Sequence, residues 1–191
     1  MKQLHSFDEV FDSQVVYRKL LEAMANPCRR LSVREQADKM YGDDAILLAF
    51  AMTLLDNEMT FNTCGDTVLA SDIALLTLAQ NTDTDKADFI FVSDCSELEN
   101  VFTKAKCGTL ADPQLSATII IRYSDDEYEK ERLYGAGING TVEIMLPKEA
   151  IKAMELRDKQ KYEYPQGVDM IFASDNGDIF CIPRLVMKDG E

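Results

Sequence analysis

Tryptophan is absent from this 191-residue chain, and histidine occurs once, as His5. One histidine, distant in sequence from every cysteine, excludes the Cys/His ligand sets of structural zinc and leaves no ready Cys-His nucleophile pair. The five cysteines, Cys28, Cys64, Cys95, Cys107 and Cys181, never form a C-x-x-C pair. Their odd number and wide spacing predict reduced thiols and a cytoplasmic home rather than a disulfide framework. Positive charge is scarce: 20 Lys+Arg stand against 34 Asp+Glu, a net charge of −14. That balance argues against nucleic acid, whose phosphates need clustered cations, and against an anionic membrane surface. The longest apolar run, Ala45 to Leu55, has 11 residues, where about 20 are needed to span a bilayer. The N-terminus, Met1 to Glu9, has no apolar segment after a basic start, so no secretory signal is expected.

What is present is the composition of a globular domain, with 46% hydrophobic residues. A chain of this length buries roughly 70% of its extended surface, so one α/β domain over residues 1–191 is expected. Helical spacing of Val16, Tyr17, Leu20, Leu21 and Met24 predicts a helix from Gln14 to Ala25, capped by Asp12 or Ser13 and stopped by Pro27. Asp43 and Asp44 precede a central apolar helix, Ala45 to Leu55, and a short strand follows near Met59 to Asn62. A third helix is expected from Ser71 to Gln80, a strand over Asp88 to Val92, a helix opened by Ser96-Glu97-Leu98-Glu99, and a β-branched strand over Ala117 to Tyr123. Beyond an acidic loop, Ser124 to Glu131, come extended segments Arg132 to Ile138 and Thr141 to Met145, then a helix from Pro147 to about Lys161. Val168 to Ala173 and Asp178 to Ile182 form a hairpin around Asp175-Asn176-Gly177. Strands alternating with helices predict a sandwich with one mixed, largely parallel β-sheet flanked by helices.

Gly135-Ala136-Gly137-Ile138-Asn139-Gly140 matches G-x-G-x-x-G, but a dinucleotide fingerprint must open a helix, and the residues that follow read as a strand. A kinase glycine loop is excluded too, since neither H-R-D nor D-F-G occurs. The segment is a glycine turn between strands. Lys104 and Lys106 precede Gly108 and could in principle carry a pyridoxal phosphate aldimine, but nothing nearby supplies its pyridinium partner, so they are read as surface lysines. Arg18, Asp169 and Arg184 are the polar residues with the most constrained neighbours. The arginines suit bidentate binding of phosphate or phosphonate, and Asp169 suits holding an arginine or a ribose hydroxyl; a structural ion pair is the commoner role for such residues. Cys28 and Cys181 are expected to be small buried thiols.

Six segments, taken in order, resemble the PhnH family of phosphonate metabolism: Tyr17-Arg18-x-Leu20-Leu21-x-Ala23-Met24-Ala25-x-Pro27, Leu54-Leu55-Asp56-Asn57, Gly108-Thr109 through Pro113 to Ala117-Thr118, Gly135-x-Gly137-Ile138, Tyr164-Pro165-x-Gly167-Val168-Asp169 and Ile182-Pro183-Arg184. The resemblance spans Asp12 to Arg184. It departs from the family pattern at Cys28, where a glycine is usual, and at Ala136, where a proline is usual. It implies the H subunit of the bacterial carbon-phosphorus lyase core complex, a homodimer assembled with the G, I and J subunits. The transfer it supports places an alkylphosphonate on the ribose of ATP, giving ribose 1-phosphonate 5-triphosphate and adenine. The implied role is structural or co-catalytic; the alternative is a subunit that itself binds nucleotide or phosphonate through Arg18, Asp169 or Arg184. The implied fold is similar to the large domain of pyridoxal-phosphate-dependent transferases without the cofactor, and no cofactor or metal is expected.

Overall fold

Ile119, Ile121 and Tyr123 face one side of the central sheet while Ile120 faces the other, and all four are buried. A strand buried on both faces needs apolar residues at every position, which is why the sequence reads as a continuous β-branched run. The computed structural model describes residues 5–27 and 29–189, so Cys28 lies outside the described residues. In chain order the elements are α1 (Phe11–Ala25), β1 (Leu31–Ser32), α2 (Arg34–Ala37), α3 (Ala45–Leu54), β2 (Thr60–Asn62), α4 (Thr67–Thr77), β3 (Gln80–Asn81) and β4 (Phe89–Val92). Then follow α5 (Leu98–Lys104), β5 (Thr118–Tyr123), β6 (Tyr128–Gly135), β7 (Thr141–Pro147), α6 (Lys148–Lys159), β8 (Asp169–Ser174), β9 (Asp178–Ile182) and β10 (Val186–Lys188).

The main sheet has seven strands in the order β1-β9-β8-β5-β4-β2-β3. β3, β2, β4, β5 and β8 pair in parallel, and β9 runs antiparallel to both β8 and β1. The mixed, largely parallel sheet expected from the alternating elements is therefore present. One core packs α1, α2, α3 and α4 against one face of this sheet. The other face carries α5, α6 and a second, three-stranded antiparallel sheet, β10-β6-β7. The expectation of one sheet is corrected here. The β6–β7 hairpin leaves the main sheet and pairs with β10, a strand too short and too close to the chain end to register as a period.

Helix starts also differ from the sequence reading, because caps are chosen by geometry. Neither Asp12 nor Ser13 caps α1: the Asp8 carboxylate accepts from the N–H groups of Val10 and Phe11, while Asp12, inside the first turn, accepts from Asp8 N–H and pairs with Lys39 at 2.7 Å. Asp66 caps α4 by accepting from Leu69 N–H at 3.0 Å, so this helix begins before Ser71. Asp44 precedes α3 but makes no cap bond; Arg122 draws it away at 3.1 Å. The predicted acidic loop is partly strand, with Tyr128 to Glu131 lying in β6.

Candidate functional site

Asp169 opens β8 and Arg184 follows β9, so the hairpin brings together residues 15 apart in sequence. The Asp169 carboxylate accepts from the backbone N–H of Arg184 at 2.8 Å and from its guanidinium Nε at 3.2 and 3.3 Å and Nη2 at 2.5 Å. Arg184 also donates through Nη1 to the carbonyl of Pro113 and through Nη2 to the hydroxyl of Ser116, each at 2.7 Å. A planar fork of donors suits this task, since it fixes three partners at defined angles. Gly167 N–H donates to Cys107 O at 3.0 Å, and Gln166 Nε2 to Gly108 O at 3.0 Å. Gly167 has φ of +145°, and a Cβ there would stand 3.0 Å from Arg184 Cβ. Only glycine lets the loop pass so close to the arginine stem. Three of the six sequence segments, 108–118, 164–169 and 182–184, thus meet at one clasp.

Two more segments meet at a second joint. The glycine turn between β6 and β7 rests on the end of α1: a Cβ on Gly137 would lie 2.6 Å from Pro27 Cδ and 2.9 Å from Ala25 O. The turn joins two antiparallel strands and opens no helix, as the residues after it predict. Beside it, Ala136 N–H donates to Leu185 O at 3.4 Å, a bond a proline in that position could not make.

Of the three residues singled out in the sequence, the structure brings Asp169 and Arg184 together and leaves Arg18 out. Arg18 is exposed on α1 and forms no ion pair or hydrogen bond among the described residues. The lysines considered for an aldimine are placed otherwise. Lys106 pairs with Asp88 at 2.5 Å, and Lys104 lies exposed at the end of α5. Asp88 in turn accepts from the hydroxyl of Thr60 at 2.6 Å and its N–H at 2.9 Å. Burial pushes the Asp88 carboxyl up, but the hydrogen bonds from Lys106 and Thr60 outweigh it and hold the carboxylate below its usual range. Among the described residues no group of three or more His, Cys, Asp or Glu side chains is placed to hold a metal ion.

Two arginines escaped the sequence reading. Arg122 grips Asp175 through Nε at 2.6 Å and Nη2 at 2.8 Å and reaches Asp44 through Nη1, tying β5 to the β8–β9 turn and the start of α3. Burial, then Asp66, Asp43 and Asp175, raise the Asp44 carboxyl above its usual value against the opposing pull of Arg122. Arg157 is only 2% exposed; it pairs with Asp158 at 2.9 Å and donates to the carbonyls of Pro183 at 3.3 Å and Val186 at 2.6 Å. Its signal was available: Ala150, Ala153, Met154 and Arg157 fall on one helical face, and a cation there must find partners inside.

The fold and its clasp define an α/β protein in which the motif-bearing loops are pinned to one another by a partly buried ion pair. Residues 5–187 match the model of the bacterial phosphonate metabolism protein (PhnH) family, and the chain belongs to that family. Its role therefore lies in phosphonate metabolism. A comparison with curated proteins finds no match.

Proposed function

We propose that this chain is a subunit of the carbon-phosphorus lyase core complex, supporting the transfer of alkylphosphonate onto the ribose of ATP in a structural or co-catalytic role. The observation that carries this reading is how Asp169 and Arg184 are engaged. They bind each other and the 113–116 loop, so the most constrained polar residues organise loops that a partner can read as one rigid surface. Exposed apolar side chains on α1, Phe11 and Leu21 above all, fit burial against another subunit. In this reading the chain is one cytoplasmic unit that forms a homodimer and assembles with the G, I and J subunits. Its sheet, with a single strand reversed near one edge, is in keeping with a relationship to the large domain of pyridoxal-phosphate-dependent transferases. No helix among the described residues is long and apolar enough to cross a membrane. Co-expression with G, I and J followed by affinity purification tests the reading: the chain is expected to come away with all three, and its recovery as a stable lone protein would count against it.

A second reading, in which the subunit itself holds nucleotide or phosphonate, is favoured by one observation. Arg184 lines a cavity of about 160 Å³ on the side of the clasp facing α6.

A further inference from the structure

Helix α4 is apolar on both its inner and its outer side. Leu69, Ala70 and Ile73 are buried in the core against the main sheet. On the outer side Val68 is 70% exposed and Leu75, two turns on, is 55% exposed, while Leu78, which ends the helix, is 71% exposed. Val68, Ser71, Leu75 and Leu78 follow the i, i+3, i+7, i+10 spacing of one face, and none of them is charged. A helix apolar all round belongs in an interior, whereas one at a surface turns charge to water. α3 obeys the first rule, with Ile46 to Ala51 all buried; α4 has the composition of such a helix, one charge in 11 residues, yet its outer face is open. Leu78 adds to the anomaly. Its φ of +61° lies in the left-handed region that strains a leucine, and its side chain is left in water.

The stripe continues onto the edge of the main sheet. β3 is the last strand of that sheet, and both its residues are exposed. Gln80 N–H and Thr82 N–H donate to Met59 O at 3.1 Å and Phe61 O at 2.8 Å, so Asn81 between them turns its own N–H and C=O outward. Free-standing proteins blunt such edges with Lys or Pro, and β3 carries neither.

Charge says what kind of surface covers this face. Residues 41–85 hold eight Asp and Glu and no Lys, Arg or His. Of those eight, Asp44 and Asp83 pair with cations among the described residues, namely Arg122 and Lys86. Glu58 stands beside the Leu78 end of the stripe, where Met59 O receives Gln80 N–H. At the other end Asp66 and Asp83, with Thr67, Ala70 and Asn81, line an open cleft of about 510 Å³ that has no cation in its walls. A second copy set on this face by a two-fold axis would bring carboxylates against carboxylates. A nucleic acid or an anionic membrane would be repelled in the same way.

We propose that the outer face of α4 and the β3 edge form a docking surface for a basic partner protein, whose apolar centre covers Val68, Leu75 and Leu78 and whose Lys or Arg side chains meet Glu58, Asp66 and Asp83. The inference rests on the subunit reading, the partner being one of the proteins of the complex.

Affinity purification of the full-length chain co-expressed with G, I and J, repeated with variants and accompanied by the mass of each lone chain in solution, tests this. Wild type is expected to bring down the complex and to release it as salt rises from about 50 mM to about 500 mM, where surface charge is screened. Leu75→Lys should lower recovery about tenfold, since it sets a cation in the apolar centre against a basic partner. Leu78→Gly should lower it about tenfold as well, yet melt no lower than wild type, because glycine takes the left-handed conformation without strain. That pairing separates partner binding from folding. Glu58→Gln with Asp83→Asn should still join the complex, with a smaller loss on raising salt. Recovery of Leu75→Lys and Leu78→Gly equal to wild type would overturn the surface and leave the subunit reading standing. A lone dimer that Leu75→Lys turns into monomers would give the face to a second copy and overturn the assignment too, as would wild-type recovery unaffected by salt. If wild type itself never joins G, I and J, the subunit reading falls and takes this inference with it.

Discussion

Arg184 holds Asp169 through its side chain and its own backbone N–H at once, so the ion pair closes the open end of the β8–β9 hairpin. The same guanidinium reaches across to Pro113 O and Ser116, and one residue thereby sets the relative positions of a hairpin and a loop. Removing either partner leaves a partly buried charge and freed loop acceptors. Asp169→Asn is expected to lower stability by about 2–3 kcal/mol, the scale of hydrogen bonds to a charged group. Arg184→Lys should cost a similar amount, because an ammonium cannot span the same acceptors. Urea denaturation of both variants checks this; midpoints equal to wild type would show that the clasp contributes nothing to the fold.

The joint between Gly137 and Pro27 gives a sharper comparison. Gly137 and Gly140 both have positive φ, +83° and +76°, yet a Cβ at Gly137 meets Pro27 and Ala25 while one at Gly140 meets nothing within 4 Å. Gly140→Ala should therefore cost only the backbone strain of about 1–2 kcal/mol. Gly137→Ala should cost clearly more, since backbone and a proline ring must also move. Thermal unfolding of the two variants side by side measures the difference, and equal losses would mean that the turn does not rest on α1.

The acid limb of stability should carry the signature of Asp88. Its folded carboxylate sits below the ordinary 3.8, so its contribution is fully present above the unfolded value and is lost as pH falls through the folded one. Asp88→Asn should be less stable than wild type at pH 7, and the gap should narrow towards pH 3. Lys106→Met should narrow it in the same direction by removing the cation that holds the carboxylate down. A gap independent of pH would contradict the assignment.

Thiol chemistry should be slow. Burial pushes Cys64 up to about 12 and Cys95 up to about 11, Glu97 adding to the first and Glu149 to the second, and Cys95 also donates its thiol to Arg122 O at 3.3 Å. Because the thiolate is the reactive form, native protein at pH 8 should react with a disulfide reagent far more slowly at these two positions than unfolded protein does. Cys181, fully buried in the core, should behave likewise. Mass-spectrometric site mapping after a short exposure reads this directly, and early labelling of Cys64 or Cys95 would contradict it.

Much of the fold was legible because its strands carry their own signal. The short apolar cores of β5 and β8, Ile119-Ile120-Ile121 and Met170-Ile171-Phe172-Ala173, fit a strand buried on both faces, and Asp175-Asn176-Gly177 marks the final hairpin. The short strands β1 and β3, each of two residues, were not legible, since neither spans a full period. Nor was the separate sheet, because the partner of an edge strand is chosen by tertiary packing and β10 is three residues long. Of the clasp, sequence offered Asp169 and Arg184 as constrained residues, and the hairpin register joins them. Arg18 has neighbours as constrained in sequence as theirs, yet it faces solvent on α1. Lys161 and Tyr162 carry no motif, and the structure alone places them beside Arg184 in the lining of one cavity.

The most direct measurement is native mass spectrometry of this chain alone and after mixing with the G, I and J proteins. Membership of the core complex predicts a homodimer by itself and complete uptake into a larger particle with all three on mixing. A chain whose mass is unchanged by the other three would contradict that membership.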